Sequence, residues 1–254
     1  MKKITLFLIM FSFCVNFLFA QDSPIQLGAD IFNRYIWRGM DLGGKSPCIQ
    51  PSLRLNLVKD AHSFTFGTWG SYTFAQNVNE ETDLYLNYTF NSIIGLTVTD
   101  YFFPGLNSGT KNNYFEYRSD STGHLFEGML NFNGTEKIPL TFTFAMNFYG
   151  NDARKINSDG SVGKIAMSKY VELGFKKNIK GVDFNIFAGA TLDNPDETKG
   201  ETGFYLNDSP SLINIGVKAS KSVQITETFS LPMQCQFVTN PELNTAYMVF
   251  GFSF

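Results

Sequence analysis

From residue 25 onward, apolar and polar side chains alternate with period two, the spacing of a strand that hides one face from water. Residues 140–149 read LTFTFAMNFY: Leu140, Phe142, Phe144, Met146 and Phe148 share one face, and Thr141, Thr143, Ala145, Asn147 and Tyr149 the other. Residues 225–237 repeat the theme, with Ile225, Phe229, Leu231, Met233, Cys235 and Phe237 on the apolar side. Glu227 breaks that face and is expected near a strand end, where water can reach it. In the final segment Ala246, Met248, Phe250, Phe252 and Phe254 alternate with Tyr247, Val249, Gly251 and Ser253.

About twelve such segments can be laid out, each long enough for a tilted strand crossing a bilayer. They cover residues 25–37, 48–58, 62–74, 82–90, 94–103, 124–132, 140–150, 169–176, 182–192, 211–219, 225–237 and 245–254. The stretch 113–119 (NYFEYRS) reads as an extension of the sixth strand. Connections alternate between short ones (59–61, 91–93, 133–139, 177–181, 220–224) and longer ones (38–47, 75–81, 104–123, 151–168, 193–210, 238–244). Short turns on one side and long loops on the other are the asymmetry of outer-membrane barrels. An even strand count puts both ends of the wall on the same side.

The same alternation would serve a soluble sandwich, whose apolar faces meet each other. Segment length argues against it, because soluble strands average about 5–6 residues. The polar faces also hold mostly Thr, Ser, Asn, Gln and Gly, where a solvated exterior would carry more Lys and Glu. The expected fold class is therefore all-β: a transmembrane, antiparallel, up-and-down β-barrel of about twelve strands, closed because hydrocarbon satisfies no backbone group.

Composition agrees. Aromatic residues make up 16% of the chain, with 27 Phe and 11 Tyr, a bias that suits strands and membrane interfaces. Residues 1–20 (MKKITLFLIMFSFCVNFLFA) have a charged start at Lys2 and Lys3, an apolar run and a terminal Ala20. That is the layout of a cleaved signal peptide, leaving residues 21–254 as the barrel domain in the outer membrane of a Gram-negative cell. The formal charge of −3 becomes about −5 once Lys2 and Lys3 leave with the signal. No basic stripe marks a nucleic-acid partner. Cys48 and Cys235 fall on strands that are not neighbours, which argues against a disulfide.

Residues 33–44 read NRYIWRGMDLGG, and this Y-x-W-R-G run resembles the N-terminal signature of the TorF family of porins. Further echoes are TDYFFPG at 99–105, NFYGNDARK at 147–155, YVELGF at 170–175 and KASKS at 218–222. The resemblance spans essentially the whole mature chain and is similar to the Bacteroidetes branch. It implies a porin-like barrel and brings no catalytic residues with it.

Parity assigns the charged residues Asp30, Arg34, Arg38, Arg54, Asp83, Glu127, Glu172, Asp183 and Lys218 to the polar, lumen-facing side. Such charges can set a field across a constriction, or can pair and fill the interior; at about twelve strands a barrel lies between filled and open. Tyr35 and Trp37 are expected to face outward as an aromatic belt. Arg34 and Arg38 would then face inward, to bind an anionic group or to pair with Asp41 or a carboxylate on a neighbouring strand. Phe250, Phe252 and Phe254 form the expected C-terminal signal for the outer-membrane assembly machinery. His62 falls beside a short turn, and His124 shares parity with Phe126 and Phe132, placing it outward near the external rim without a nucleophile motif around it. Neither a C-x-x-C nor an H-E-x-x-H run is present. The acidic tip DNPDE at 193–197 reads as a solvated turn, and GSVGK at 160–164 lacks the spacing of a phosphate loop. The expected function is a passive channel for small polar solutes, with no cofactor and no enzymatic activity. The alternatives are a plugged structural barrel, an adhesive or ligand-binding one, or an outer-membrane lipid hydrolase. Expected partners are membrane lipid, lipopolysaccharide, the assembly machinery and those solutes.

Overall fold

The computed structural model describes residues 23–75, 80–104 and 112–254; the expected signal peptide lies outside them. Sixteen strands occur in chain order: β1 (Ile25–Phe32), β2 (Ile36–Trp37), β3 (Met40–Asp41), β4 (Cys48–Lys59), β5 (His62–Thr73), β6 (Glu81–Phe90), β7 (Ile94–Phe102), β8 (His124–Phe132), β9 (Leu140–Gly150), β10 (Arg154–Ile156), β11 (Val162–Ile165), β12 (Lys169–Ile179), β13 (Val182–Thr191), β14 (Ser211–Gln224), β15 (Ser230–Asn240) and β16 (Thr245–Ser253). A three-residue helical turn, Glu197–Lys199, is the one helix among the described residues.

Twelve of these strands, β1, β4–β9 and β12–β16, form one closed antiparallel barrel in which each is hydrogen-bonded to its neighbours in chain order. The closing seam joins β1 to β16, with Asp30 opposite Ser253 and Phe32 opposite Gly251. Beyond β16, the Phe254 amide still donates to the Ala29 carbonyl at 2.9 Å. Closure leaves no peptide edge unpaired, which is the condition a sheet must meet in hydrocarbon.

The outward face is apolar and uncovered: Leu27, Phe66, Leu86, Leu96, Leu173, Ile186, Met248 and Phe250 are all exposed. Their inward neighbours are polar, small or aromatic. Inward rings lie flat where the adjacent strand offers a glycine, as with Phe187 over Gly216 and Tyr85 over Gly67. Part of the high aromatic content therefore lines the interior rather than the lipid face.

Most strands fall where the alternation placed them, and His124–Phe132 and Leu140–Gly150 coincide with it. Three segments differ. The first strand stops at Phe32 rather than running to residue 37, because the chain turns into the barrel at Asn33. β14 continues to Gln224 and the next strand starts only at Ser230, so Ile225–Phe229 form a turn, with Glu227 exposed at its tip. Ile225 and Thr226 amides both donate to the Phe229 carbonyl, and the Thr226 hydroxyl accepts from the Phe229 amide; a local side-chain turn of this kind competes with the ladder. Finally, residues 113–119 do not extend β8. Tyr117 instead folds back against the outside of the rim and stacks on His124, with ring centroids 4.4 Å apart. Cys48 and Cys235 are both free, on strands separated by β1 and β16.

Candidate functional site: a plug across the lumen

The segment between β1 and β4 enters the barrel. At its tip, β2 and β3 form a two-residue hairpin in which Trp37 pairs with Met40. The turn residues Arg38 and Gly39 both have positive φ, 49° and 79°. A turn of that shape matches the twist of a two-stranded ribbon and requires left-handed backbone at both central positions. At Gly39 a side chain is also excluded by space, since a Cβ would fall on the Ile213 carbonyl oxygen of β14. The hairpin thus delivers Arg38 to the middle of the lumen.

There Arg38 meets Glu127 of β8 through two hydrogen bonds, Nη1 to Oε2 at 2.5 Å and Nη2 to Oε1 at 2.9 Å. The side chains are 9% and 2% exposed, so this is a desolvated, fork-shaped ion pair, the strongest geometry available to these groups. Its remaining valences are filled. Arg38 Nη1 also donates to the Tyr205 hydroxyl at 2.7 Å, and the Tyr101 hydroxyl donates to Glu127 at 3.1 Å. The guanidinium is sandwiched between the Trp37 and Tyr170 rings, 4.4 and 4.5 Å from their centroids. A buried charge pair earns stability only when its other bonds are satisfied in this way.

A second polar cluster extends the packing. The Tyr170 hydroxyl donates to Glu172 at 2.5 Å, and Asn214 Nδ2 reaches both Tyr170 Oη (2.8 Å) and Glu172 (2.9 Å). Trp37 stacks on Tyr205 and meets Tyr101 and Phe204 edge-on. Nearer the wall, the Tyr35 hydroxyl donates to Glu81 of β6 at 2.9 Å, and its ring packs on Trp69 of β5. Between them these contacts tie the first loop to β5, β6, β7, β8, β12 and β14, most of the way round the barrel. The loop therefore crosses and fills the long-loop half of the lumen.

The expected lumen residues do not form one cluster. Arg38, Asp83, Glu127 and Glu172 lie in or beside the plug; Asp83 is 5% exposed, in register between Trp69 and Tyr101. Asp30 is half-buried on the inward face of β1, while Arg54, Asp183 and Lys218 lie toward the short-turn end. Arg34 stays near the loop base, paired with Asp41 at 2.9 Å and 5.3 Å from the centre of the Tyr247 ring. Both arginines have thus found carboxylates. Below the plug the interior opens into a cavity of about 730 Å³, lined by Asn133, Lys176, Asp183, Asn185, Lys218 and Ser220 among others.

The placement of Tyr35 and Trp37 on an outward belt is corrected. Tyr35 is 9% exposed and both rings lie inside the barrel. Strand parity does not apply to them, because the strand ends before they begin. Aromatic residues do gather outside the rim near His124, where Tyr114 and Tyr117 fold over it and Phe115 is 88% exposed. His124 faces outward as its parity required, but it is fully covered. Its Nδ1 lies 2.7 Å from Asp100 and its Nε2 2.6 Å from the Tyr114 carbonyl, so both ring nitrogens are occupied. His62 lies at the short-turn end, 2.8 Å from the Tyr88 hydroxyl. In the DNPDE tip, Asp193 accepts from the Lys169 amide and Asp196 pairs with Lys199. Phe250, Phe252 and Phe254 share one face at the end of the chain, with Phe250 and Phe254 exposed.

Sequence reasoning missed Tyr101, Tyr170 and Asn214, although Tyr170 and Glu172 share one parity on their segment. Tyr205 and Phe204 carried no signal, because they come from an irregular loop.

A family described as a bacterial protein of unknown function (Gcw_chp) matches residues 20–193. No curated protein matches the chain. Among solved structures, the chain is similar to an outer-membrane channel from Pseudomonas putida F1, with 12% identity, a TM-score of 0.48, and 92% of this chain and 95% of that one covered. It is also similar to the NanC porin, with 9% identity, a TM-score of 0.44 and coverage of 90% and 98%. The β domain of a Bordetella autotransporter follows, with 10% identity, a TM-score of 0.36 and coverage of 91% and 98%.

Proposed function

The chain belongs to the Gcw_chp family of bacterial proteins of unknown function, and from that premise we propose that it is an outer-membrane, porin-like channel for small polar solutes, held closed by its first loop. The observation that carries this reading is the contrast between the two halves of one polar lumen. The short-turn half holds a cavity of about 730 Å³ along the β12–β14 side of the wall, large enough for a small organic solute. The long-loop half is crossed by a hairpin whose tip makes one buried ion pair, with Phe204 and Tyr205 packed against it. A barrel needing only a filled interior could pack it with strand side chains, as smaller barrels do. A hairpin that enters from the rim can also leave by it.

The outer-membrane location rests on the apolar outward face and the closed wall. In that setting lipid and lipopolysaccharide meet the wall and the rim aromatics, the long loops face outward, and the short turns face the periplasm. The assembly machinery would engage the last strand, which carries Phe250, Phe252 and Phe254. The resemblance of NRYIWRGMDLGG to the TorF porins supports the same reading, since this run forms the plug.

The test is conductance in planar bilayers. Purified wild-type protein should give rare openings, and Arg38→Asn should give frequent ones, because Asn tolerates the left-handed turn backbone and cannot span to Glu127. Silence in both proteins would overturn the channel reading and favour a permanently plugged structural barrel.

A further inference from the structure

The cavity below the plug is lined by Lys176 and Lys218, two cations without a contacting carboxylate among the described residues, and by the acids Glu136 and Asp183. Lys176 of β12 and Lys218 of β14 lie in one row across the wall, joined through Asn185 of β13: Lys176 is opposite Asn185, and Asn185 is opposite Lys218. All three line the cavity, while the residues beside them in sequence, Phe175, Ile186 and Val217, are exposed on the outer face. Neither ammonium has a carboxylate within 4.0 Å among the described residues, whereas the plug arginines Arg34 and Arg38 each pair with one.

Two lysines on one inward face repel each other, a cost that a bound anion would offset. Two acids share the cavity: Glu136 in the turn before β9, and Asp183, one inward position closer to the short turn than Asn185, or roughly 7 Å along the strand. The Asp183 carboxylate is turned to Asn178 Nδ2, which donates to it at 2.7 Å. Asp30 faces the lumen from β1 and attracts Lys218 from a distance, without a contact within 4.0 Å. With neighbouring strands about 4.8 Å apart, the two lysine backbones stand about 10 Å apart. That spacing lets both flexible side chains close on one small oxyanion, with the Asn185 amide between them as a further donor.

We propose that Lys176, Asn185 and Lys218 form an oxyanion site in the periplasmic vestibule, so that the solutes this barrel takes carry a carboxylate or a phosphate. The substrate class rests on the channel reading; the site itself does not. An anion entering the vestibule exchanges water for two charge-assisted hydrogen bonds in a space partly screened from bulk solvent. The plug above it supplies the closed end against which such a solute waits.

Two measurements separate the claims. First, the lysines of the detergent-folded barrel are reductively methylated with ¹³C and titrated with inorganic phosphate. Two resonances should shift together, both should be missing from the Lys176→Gln/Lys218→Gln variant, and phosphate should bind that variant about tenfold more weakly or worse. Second, reversal potentials are recorded in a KCl gradient. Wild type or Arg38→Asn should favour chloride, and the double lysine variant should lose that preference. A phosphate response with no conductance would keep the site and remove the channel. Conductance with no phosphate response and no chloride preference would overturn the site and leave the channel standing.

Discussion

Arg38, at the tip of the first loop, and Glu127, on the far wall at β8, meet inside the barrel through two hydrogen bonds of 2.5 and 2.9 Å. Eighty-nine residues of chain separate them, so their union closes a long loop of sequence as well as the lumen. The pair is nearly dry, and its stability contribution follows from what each partner becomes when the other is removed.

Removing Arg38 leaves Glu127 as an uncompensated carboxylate at 2% exposure. Breaking a buried pair from one side costs about 3–5 kcal/mol. Arg38→Asn is expected to lower stability by that order, measured by urea unfolding in phospholipid vesicles followed by tryptophan fluorescence. The double variant Arg38→Met/Glu127→Leu should recover most of the loss, since apolar replacement of both partners is often neutral. If the single variant unfolds at the wild-type urea concentration, the pair is solvated and the plug is loosely held.

Gly39 has a φ of 79° and no room for a Cβ. Gly39→Ala should therefore push the hairpin tip away from β14 at a cost above about 1 kcal/mol. Trp37, one of two tryptophans, reports the displacement. In a Trp69→Phe background its emission should shift to the red and become open to quenching by iodide. An unchanged, unquenched Trp37 would mean the tip tolerates the methyl group and is not seated as described.

The outward face of β9 gives a test of membrane placement. Phe144→Lys is expected to cost about 2–4 kcal/mol if the site lies near the bilayer midplane. Cysteine at Phe144 should react with lipid-phase reagents and cysteine at Thr143 with aqueous ones, because the Thr143 hydroxyl points inward to Asn131 at 2.9 Å. Reversed labelling would invert the wall.

The wall was legible because its signal is redundant. Each strand repeats the same alternation several times, and lipid tolerates few exceptions on the outer face. The plug was not legible for the same reason inverted. Parity carried past Phe32 assigns Tyr35 and Trp37 to the outer face, yet one change of direction at Asn33 sends both inside. What the residue types did convey was chemistry: two arginines close to one another in sequence, expected either to hold an anion or to find carboxylates, have found Asp41 and Glu127. The partner Glu127 stood among the lumen charges, but nothing local linked it to Arg38. Lys176 shares parity with Glu172 and could have been placed in the lumen beside Lys218. The turn at Ile225–Phe229 was read as strand because its apolar residues keep the period while Thr226 supplies a competing hydrogen bond.

The loops above the plug carry a pH dependence of their own. Glu201 accepts from Lys155 Nζ at 2.8 Å and from the Ile156 and Asp196 amides at 2.9 Å each. These donors, the lysine first, hold its carboxyl well below the usual range, at about 2. A carboxyl depressed in the folded loop stabilises that loop above its unfolded pKa, and the contribution fades as pH falls from the usual glutamate range toward about 2. The Ile156 and Asp196 amides should therefore lose protection from hydrogen exchange across that acidic window, after correction for the intrinsic rate. At neutral pH, Glu201→Gln should show the same loss without any acid, since it abolishes the charge while nearly keeping the shape. Because this loop also supplies Phe204 and Tyr205 to the plug, the variant should loosen Trp37 as well. Protection that is flat with pH and unchanged in Glu201→Gln would show that the loop is held by its aromatic contacts and not by this carboxylate.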